Sequence, residues 1–172
     1  MRTAICPGSF DPVTLGHVDI IRRASKLFEK VVVCVVYNAN KKSSFLTLEE
    51  RKEHVERVTA DLPNVTVDTW SGLLVDYAAR YEDPVVVRGL RAVSDYEKEC
   101  QMALMNKRLY PELETFFLAA SEKYMYLSSS AVKELAMFGA DLSAFAPREI
   151  IGEIEAKYKQ ERTDPNHGKR DQ

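Results

Sequence analysis

The stretch PGSFDPVTLGH, residues 7–17, sets two glycines, a serine and a histidine against the start of an apolar helical period. Gly8 and Gly16 let the backbone approach a ligand closely, and a helix start turns unpaired N–H groups and the positive end of its dipole toward it. Such a corner suits an anion, phosphate above all, with Ser9 and His17 as hydrogen-bond donors. Other groups of the same chemical bias follow. Lys41 and Lys42 come after one apolar run, RGLR puts Arg88 and Arg91 after another, and Ser128-Ser129-Ser130 precedes a helical period. Each has a plain structural explanation as well: a helix-start histidine, a solvated lysine loop, surface ion-pair arginines, a serine N-cap, a solvated Glu99 on a helix. What sets them apart is where the surrounding elements bring them.

Those elements alternate. Apolar, β-rich runs at 3–6, 31–37, 65–69, 84–88 and 115–119 are each followed by a helical period, which is the arithmetic of βαβ units. VVVCVVY and VVV are continuously apolar, as in strands covered on both faces, so the pattern predicts an α/β fold with a five-stranded parallel sheet, doubly wound, and helices at its C-terminal end. Helices are expected over 17–28, 48–61, 73–81, 94–109 and 129–137, with a last one from Pro147 that carries Ile150, Ile151, Ile154 and Tyr158. Thr47-Leu-Glu-Glu50 and Ser94-Asp-Tyr-Glu97 both fit a capping box. The first helix should bury Val18, Ile21 and Leu27; the second is polar and expected at the surface.

In such a sheet ligands sit beyond the carboxyl ends of the strands. That edge receives His17, Lys41, Lys42, Arg88, Arg91 and the serine run, in a chain whose net charge is −2. A basic edge on a mildly acidic chain points to a small polyanion and away from a broad nucleic-acid surface.

The 172 residues are expected to form one domain over 1–160, followed by a tail, 161–172, without apolar residues and expected to be disordered. His167 in that tail is read as part of it and not as a metal ligand. Cys6, Cys34 and Cys100 are odd in number and far apart, which favours reduced core thiols and a cytoplasmic location over a disulfide or zinc framework. The N-terminal apolar segment is too short for a signal peptide and no run approaches a membrane span, so no membrane association is expected.

Taken together, Thr14-Leu-Gly-His17 and the later LSSS resemble the two signatures of the nucleotidyltransferase superfamily. PGSFDPVTLGH, the Lys41 loop, TLEER, RGLRAVSDYEKE, MNKRLYPELET and YLSSSAVKEL, in this order over roughly residues 3–160, are similar to the bacterial phosphopantetheine adenylyltransferases. The resemblance implies a Rossmann-like fold and transfer of the adenylyl group of ATP to 4'-phosphopantetheine, giving dephospho-coenzyme A and pyrophosphate. It implies Mg2+ held by ATP phosphates and water with no dedicated protein ligands, a homohexamer, and coenzyme A as a feedback ligand. Cys6 stands where relatives often have an aromatic residue, Ser9 where they have threonine, Leu74 where they have methionine, and Tyr124 where they often have tryptophan.

The same resemblance assigns roles. Lys41, Arg88 and Ser9 would hold the acceptor phosphate, with Leu73 and Leu74 against the pantetheine arm. His17 would stabilise the transition state, with Lys41 and Arg91 assisting catalysis. ATP would lie on Ser9, Phe10, Gly16, His17, Gly89, Leu90, Arg91, Glu99, Tyr124, Met125, Tyr126, Leu127, Ser128, Ser129 and Ser130. Arg91, Ser129 and Ser130 would take the β- and γ-phosphates, and Glu99 would orient Arg91 or a bound cation. The reaction needs no covalent nucleophile, because two anions only have to be aligned and neutralised. T-x-G-H does not choose the acceptor, so another small adenylyl- or cytidylyltransferase stays open at this point, as does a nucleotide-binding module without chemistry.

Overall fold

The computed structural model describes residues 2–37 and 44–163. Its strands are β1 (Thr3–Gly8), β2 (Lys30–Val36), β3 (Val65–Trp70), β4 (Pro84–Leu90) and β5 (Glu114–Ala119), all parallel, in the order β3-β2-β1-β4-β5. The valine runs occupy the middle of the sheet, where both faces are covered. Ala4, Cys6, Val31, Val33, Val35, Val85 and Val87 pack on one side against α1 (Leu15–Leu27), α2 (Leu48–Val58), α5 (Ser129–Met137) and α6 (Arg148–Thr163). Their alternates Ile5, Val32, Cys34 and Val86 pack on the other against α3 (Leu74–Ala78) and Leu113, beyond the end of α4 (Val93–Leu109). This period-2 division of a continuous apolar run is the doubly wound architecture that the sequence predicts.

Several local expectations are corrected. Leu27 is exposed, and Ala24 takes the third buried place on α1. The supposedly surface-lying α2 buries Arg51, His54, Val55 and Val58; its mean polarity conceals one long-stemmed arginine and one histidine that turn inward with the valines. The Thr47 box forms as expected: Glu50 N–H donates to Thr47 Oγ1 at 3.1 Å and Thr47 N–H to Glu50 Oε2 at 2.7 Å. The Ser94 box does not. Ala92 is the N-cap of α4, which puts Ser94 already inside the helix, and the acid that reaches back is Asp95. α3 is only five residues long, and α6 starts at Arg148 and continues to Thr163. His167 and the rest of 164–172 lie outside the described residues, as do Lys41 and Lys42.

One register detail positions the site. β1 pairs with β2 along its whole length, from Thr3↔Lys30 to Gly8↔Val35, but with β4 only from Thr3↔Pro84 to Ile5↔Val86. Beyond Ile5 the two strands part. They part where the chain reverses its winding, between β1 and β4, and so leave a crevice at the carboxyl edge.

Candidate active site

The crevice is a cavity of about 280 Å³ between the ends of β1 and β4 and the starts of α1, α4 and α5. Ser9, Phe10, Gly16, His17, Arg88, Gly89, Arg91, Glu99, Tyr124, Leu127, Ser128 and Ser129 all line it. Of the anticipated polar edge, His17, Arg88, Arg91, Ser128 and Ser129 meet here, while Lys41 and Lys42 lie outside the described residues.

His17 is held by its own helix start. Thr14 is the N-cap of α1, and the N3 position of the capping box, usually Glu or Gln, is filled by His17. Thr14 N–H donates to His17 Nδ1 at 3.0 Å, while His17 N–H donates to Thr14 Oγ1 at 3.3 Å. A backbone N–H can only donate, so Nδ1 is an acceptor and the proton of the neutral ring sits on Nε2. The Phe10 ring stands edge-on to the imidazole at 5.1 Å between centroids. Burial first, then the charges of Arg88 and Arg91, lowers the His17 pKa from 6.5 to about 4. At neutral pH this side chain is an uncharged donor.

Two glycines have steric reasons. A Cβ on Gly8 would stand 2.9 Å from the Phe10 ring, which adopts its place through a left-handed backbone (φ 46°). A Cβ on Gly89 would meet Ile20 Cγ1 at 2.9 Å. Gly16 is different: a Cβ there would make ordinary contacts at 3.6 Å or more with Thr14 and Tyr124, so the protein itself does not demand glycine.

Helix α4 supplies two carboxylates one turn apart, each gripping one arginine. Arg88 donates from Nε to Glu99 Oε2 at 2.6 Å and from Nη2 to Glu99 Oε1; its Nη1 bonds the Pro7 carbonyl across the parted strands. Arg91 donates from Nε to Asp95 Oδ2 at 2.9 Å and from Nη2 to Asp95 Oδ1 at 3.2 Å, while Nη1 reaches the Leu127 carbonyl. Glu99 therefore orients Arg88, which corrects the expectation of an Arg91 partner. Asp95, which the sequence reading missed, is that partner. The signal was present as the four-residue spacing of Arg91 to Asp95, just before the helix, and of Asp95 to Glu99 along it. Burial works to raise the Asp95 pKa, but the hydrogen bonds and charge of Arg91 outweigh it and hold the carboxyl below its usual range.

The serine run divides its work. Ser128 is the N-cap of α5, its Oγ accepting from Ala131 N–H at 3.1 Å, and Ser129 Oγ donates to the Pro12 carbonyl at 2.8 Å. Ser130 is exposed in the first turn. Leu73, Leu74, Leu90, Met125, Tyr126 and Ser130 do not line the cavity. Leu73 is the exposed N-cap of α3, Leu74 packs on the second core cluster, and Leu90 ends β4. Met125 and Tyr126 are exposed just beyond Tyr124. Cys6 does line it, but burial pushes its thiol up to about 12 against a smaller opposing effect of Arg88, so it is no nucleophile at neutral pH. Both cavity carboxylates are taken by guanidinium groups, and no three His, Cys, Asp or Glu side chains cluster for a metal among the described residues.

Comparison with known proteins gives the family. The cytidylyltransferase-like family matches residues 5–135. A phosphopantetheine adenylyltransferase of Clostridium kluyveri is 52% identical over 158 residues, 92% of this chain and 96% of that protein. Another, from Caldanaerobacter subterraneus subsp. tengcongensis, is 52% identical over 159 residues, 92% of this chain and 99% of that one. The chain belongs to the phosphopantetheine adenylyltransferase family. The fold is shared more widely: a Vibrio parahaemolyticus protein described as a nicotinate-nucleotide adenylyltransferase superposes with a TM-score of 0.68 over 92% of this chain and 96% of its own, at 18% identity. At that distance only the architecture carries over. Cys6, Ser9 and Tyr124 all fall on the cavity lining.

Proposed function

We propose that this chain transfers the adenylyl group of ATP to 4'-phosphopantetheine, producing dephospho-coenzyme A and pyrophosphate by direct in-line attack. The observation that carries the reading is the cavity at the sheet's switch point. There, two carboxylate-braced arginines face a neutral histidine whose free nitrogen bears a proton, in a chain half identical to phosphopantetheine adenylyltransferases.

The acceptor phosphate binds Arg88 and the Ser9 hydroxyl, and Lys41, outside the described residues, is assigned to the same phosphate by the family resemblance. Bracing by Glu99 fixes the guanidinium plane before substrate arrives, so no reorganisation is needed as charge moves. His17 Nε2–H donates to an oxygen on the α-phosphorus as negative charge grows there. Arg91 and the α5 start hold the leaving phosphates. Because the Ser129 hydroxyl is committed to Pro12, the backbone N–H groups of Ser129 and Ser130, which have no hydrogen-bond partner among the described residues, are the natural donors. A magnesium ion bound with ATP would supply charge neutralisation; because Glu99 and Asp95 are paired with arginines, phosphate oxygens and water would hold it. Leu73 and Leu74, which lie outside the cavity lining, are assigned to the pantetheine arm on the family resemblance alone.

We also propose a cytoplasmic homohexamer with coenzyme A as a feedback ligand. Supporting it, α4 exposes Met102, Leu104, Met105 and Leu109, each by half or more, and none of its described side chains is fully buried. All three cysteines are free, and among the described residues no helix is long and apolar enough to cross a membrane. Coenzyme A carries the same pantetheine arm and would compete for the acceptor half. Pyrophosphate release, measured with ATP and a panel of acceptors, tests the reaction: turnover confined to 4'-phosphopantetheine is expected, and turnover with nicotinate mononucleotide or glycerol phosphate instead would overturn it. Light scattering tests the hexamer.

A further inference from the structure

Arg51, from the TLEER segment, is among the largest fully buried side chains of the molecule, 2% exposed. A buried guanidinium ordinarily meets a carboxylate. Arg51 forms no ion pair among the described residues. Its partners are main-chain carbonyls from three separate segments. Nη1 donates to Ser9 O at 2.9 Å and Val36 O at 3.4 Å, and Nε to Thr47 O at 3.2 Å. One planar fork thus joins the β1–α1 loop, the end of β2 and the cap of α2. Lysine has no such fork, its ammonium being a single point on a flexible stem.

Asp11 makes the reciprocal connection. Its carboxylate, 1% exposed, accepts from Phe45 N–H at 3.1 Å and Leu46 N–H at 2.8 Å, with Lys133 Nζ at 3.4 Å. The two buried charges bind backbone, not each other, and both act on the turn that carries Ser9 and Phe10 into the cavity. Asp11 pairs with Lys133, whereas Arg51, immediately behind the Ser9 carbonyl, meets no carboxylate among the described residues.

We propose that Arg51 is a positioning residue for the acceptor half of the cavity: it fixes the Ser9 turn against the end of β2 and adds a standing positive charge behind the place where the acceptor phosphate binds. The inference rests on the reaction proposed above. Arg51 touches no substrate atom. Its effect is carried by the Ser9 hydroxyl and by the field, both of which fall off toward the adenine side near Tyr124.

The test is steady-state kinetics on Arg51→Gln and Arg51→Lys with ATP and 4'-phosphopantetheine varied separately. Arg51→Gln should raise the acceptor KM by ~10-fold or more and the ATP KM by less than ~3-fold, as expected for losing a charge-assisted bond that serves one substrate. Arg51→Lys, which restores charge without the fork, should recover part of the loss. Equal rises in both KM values, or a lowered Tm with both KM values unchanged, would overturn the proposal. Should Arg51→Gln not fold, a double-mutant cycle of Arg51→Lys with Ser9→Ala decides it: coupling in acceptor KM is expected, and additivity refutes it. A wild-type chain that releases no pyrophosphate would sink the reaction and leave the site testable. A 31P NMR titration of inorganic phosphate then applies, in which Arg51→Gln should bind ~10-fold more weakly and equal binding refutes the role.

Discussion

His17 and His54 are both helical histidines largely enclosed by protein, and they have opposite fates. His17 spends Nδ1 on a backbone N–H, looks with its protonated Nε2 into the cavity, and faces two guanidinium groups. His54, 1% exposed, bonds Glu153 Oε2 through Nε2 at 2.7 Å, and its buried Nδ1 has no partner among the described residues. Around it, Arg57 also binds Glu153, Lys157 binds Glu50, and Phe45 stacks on Tyr158 at 4.2 Å, so α6 is fastened to α2. A histidine among cations, with its donor turned outward, is set to meet an anion. One that ends on a carboxylate inside a helix–helix contact has already met its own. Residue type says nothing about which is which; the sign of the surrounding charge and the direction of the free nitrogen do.

The sharpest way to break the comparison is to remove each ring. His17→Ala should lower kcat by ~100-fold or more, the scale for losing one oxyanion donor, with smaller changes in KM. An unchanged steady-state kcat would put His17 in the same structural class as His54. Lys41→Ala and Arg88→Ala should instead weaken 4'-phosphopantetheine binding by roughly ten-fold or more, since each removes a charged phosphate contact. Calorimetry showing intact affinity in both variants would refute the acceptor assignment.

The next effect concerns His17 and is read by pH. Folding lowers the His17 pKa from 6.5 to about 4, so between those values the unfolded chain takes up a proton that the folded one refuses. His17 thus subtracts stability progressively as pH falls from 6.5 to about 4 and nothing above that window. His17→Gln is the matched control, because glutamine can keep the capping box with Thr14. The Tm of wild type relative to His17→Gln should decline as pH drops through this range. A difference that is constant with pH would show that His17 is not held neutral by burial and the two arginines.

Much of this arrangement was legible before folding because it depends on repeated local pattern. VVVCVV and VVV announce buried parallel strands, and in a parallel sheet the residues after them must share one edge, so Arg88, Arg91 and His17 converge by topology alone. What escaped the sequence depends on single long side chains choosing a direction. Arg51 and His54 sit in LEERKEHVERV, whose mean polarity reads as a surface helix, yet both are buried. Asp95 takes Arg91 from the first turn of an α4 capped by Ala92, two residues before the Ser94 cap that the sequence suggests. Lys41, central to the acceptor assignment, lies outside the described residues.

Smaller effects belong to the α2–α6 contact. His54→Ala should lower stability by about 1–3 kcal/mol, through a lost bond to a charged group and a small cavity, and leave kcat unchanged. For a chain of this size that is a Tm fall of about 2–4 °C per kcal/mol. Glu153→Gln should cost less than about 1 kcal/mol. Its carboxylate is 54% exposed, so solvent and salt already screen its pairs with His54 and Arg57, and an amide oxygen can still accept from His54 Nε2–H. The ordering is diagnostic. If the contact is held by the buried ring, His54→Ala exceeds Glu153→Gln in a denaturant melt and 0.5 M salt changes neither order nor size appreciably. If it is held by the exposed ion pair, the two variants lose equal stability and salt erases both, and His54 would then be an incidental neighbour of a surface bridge.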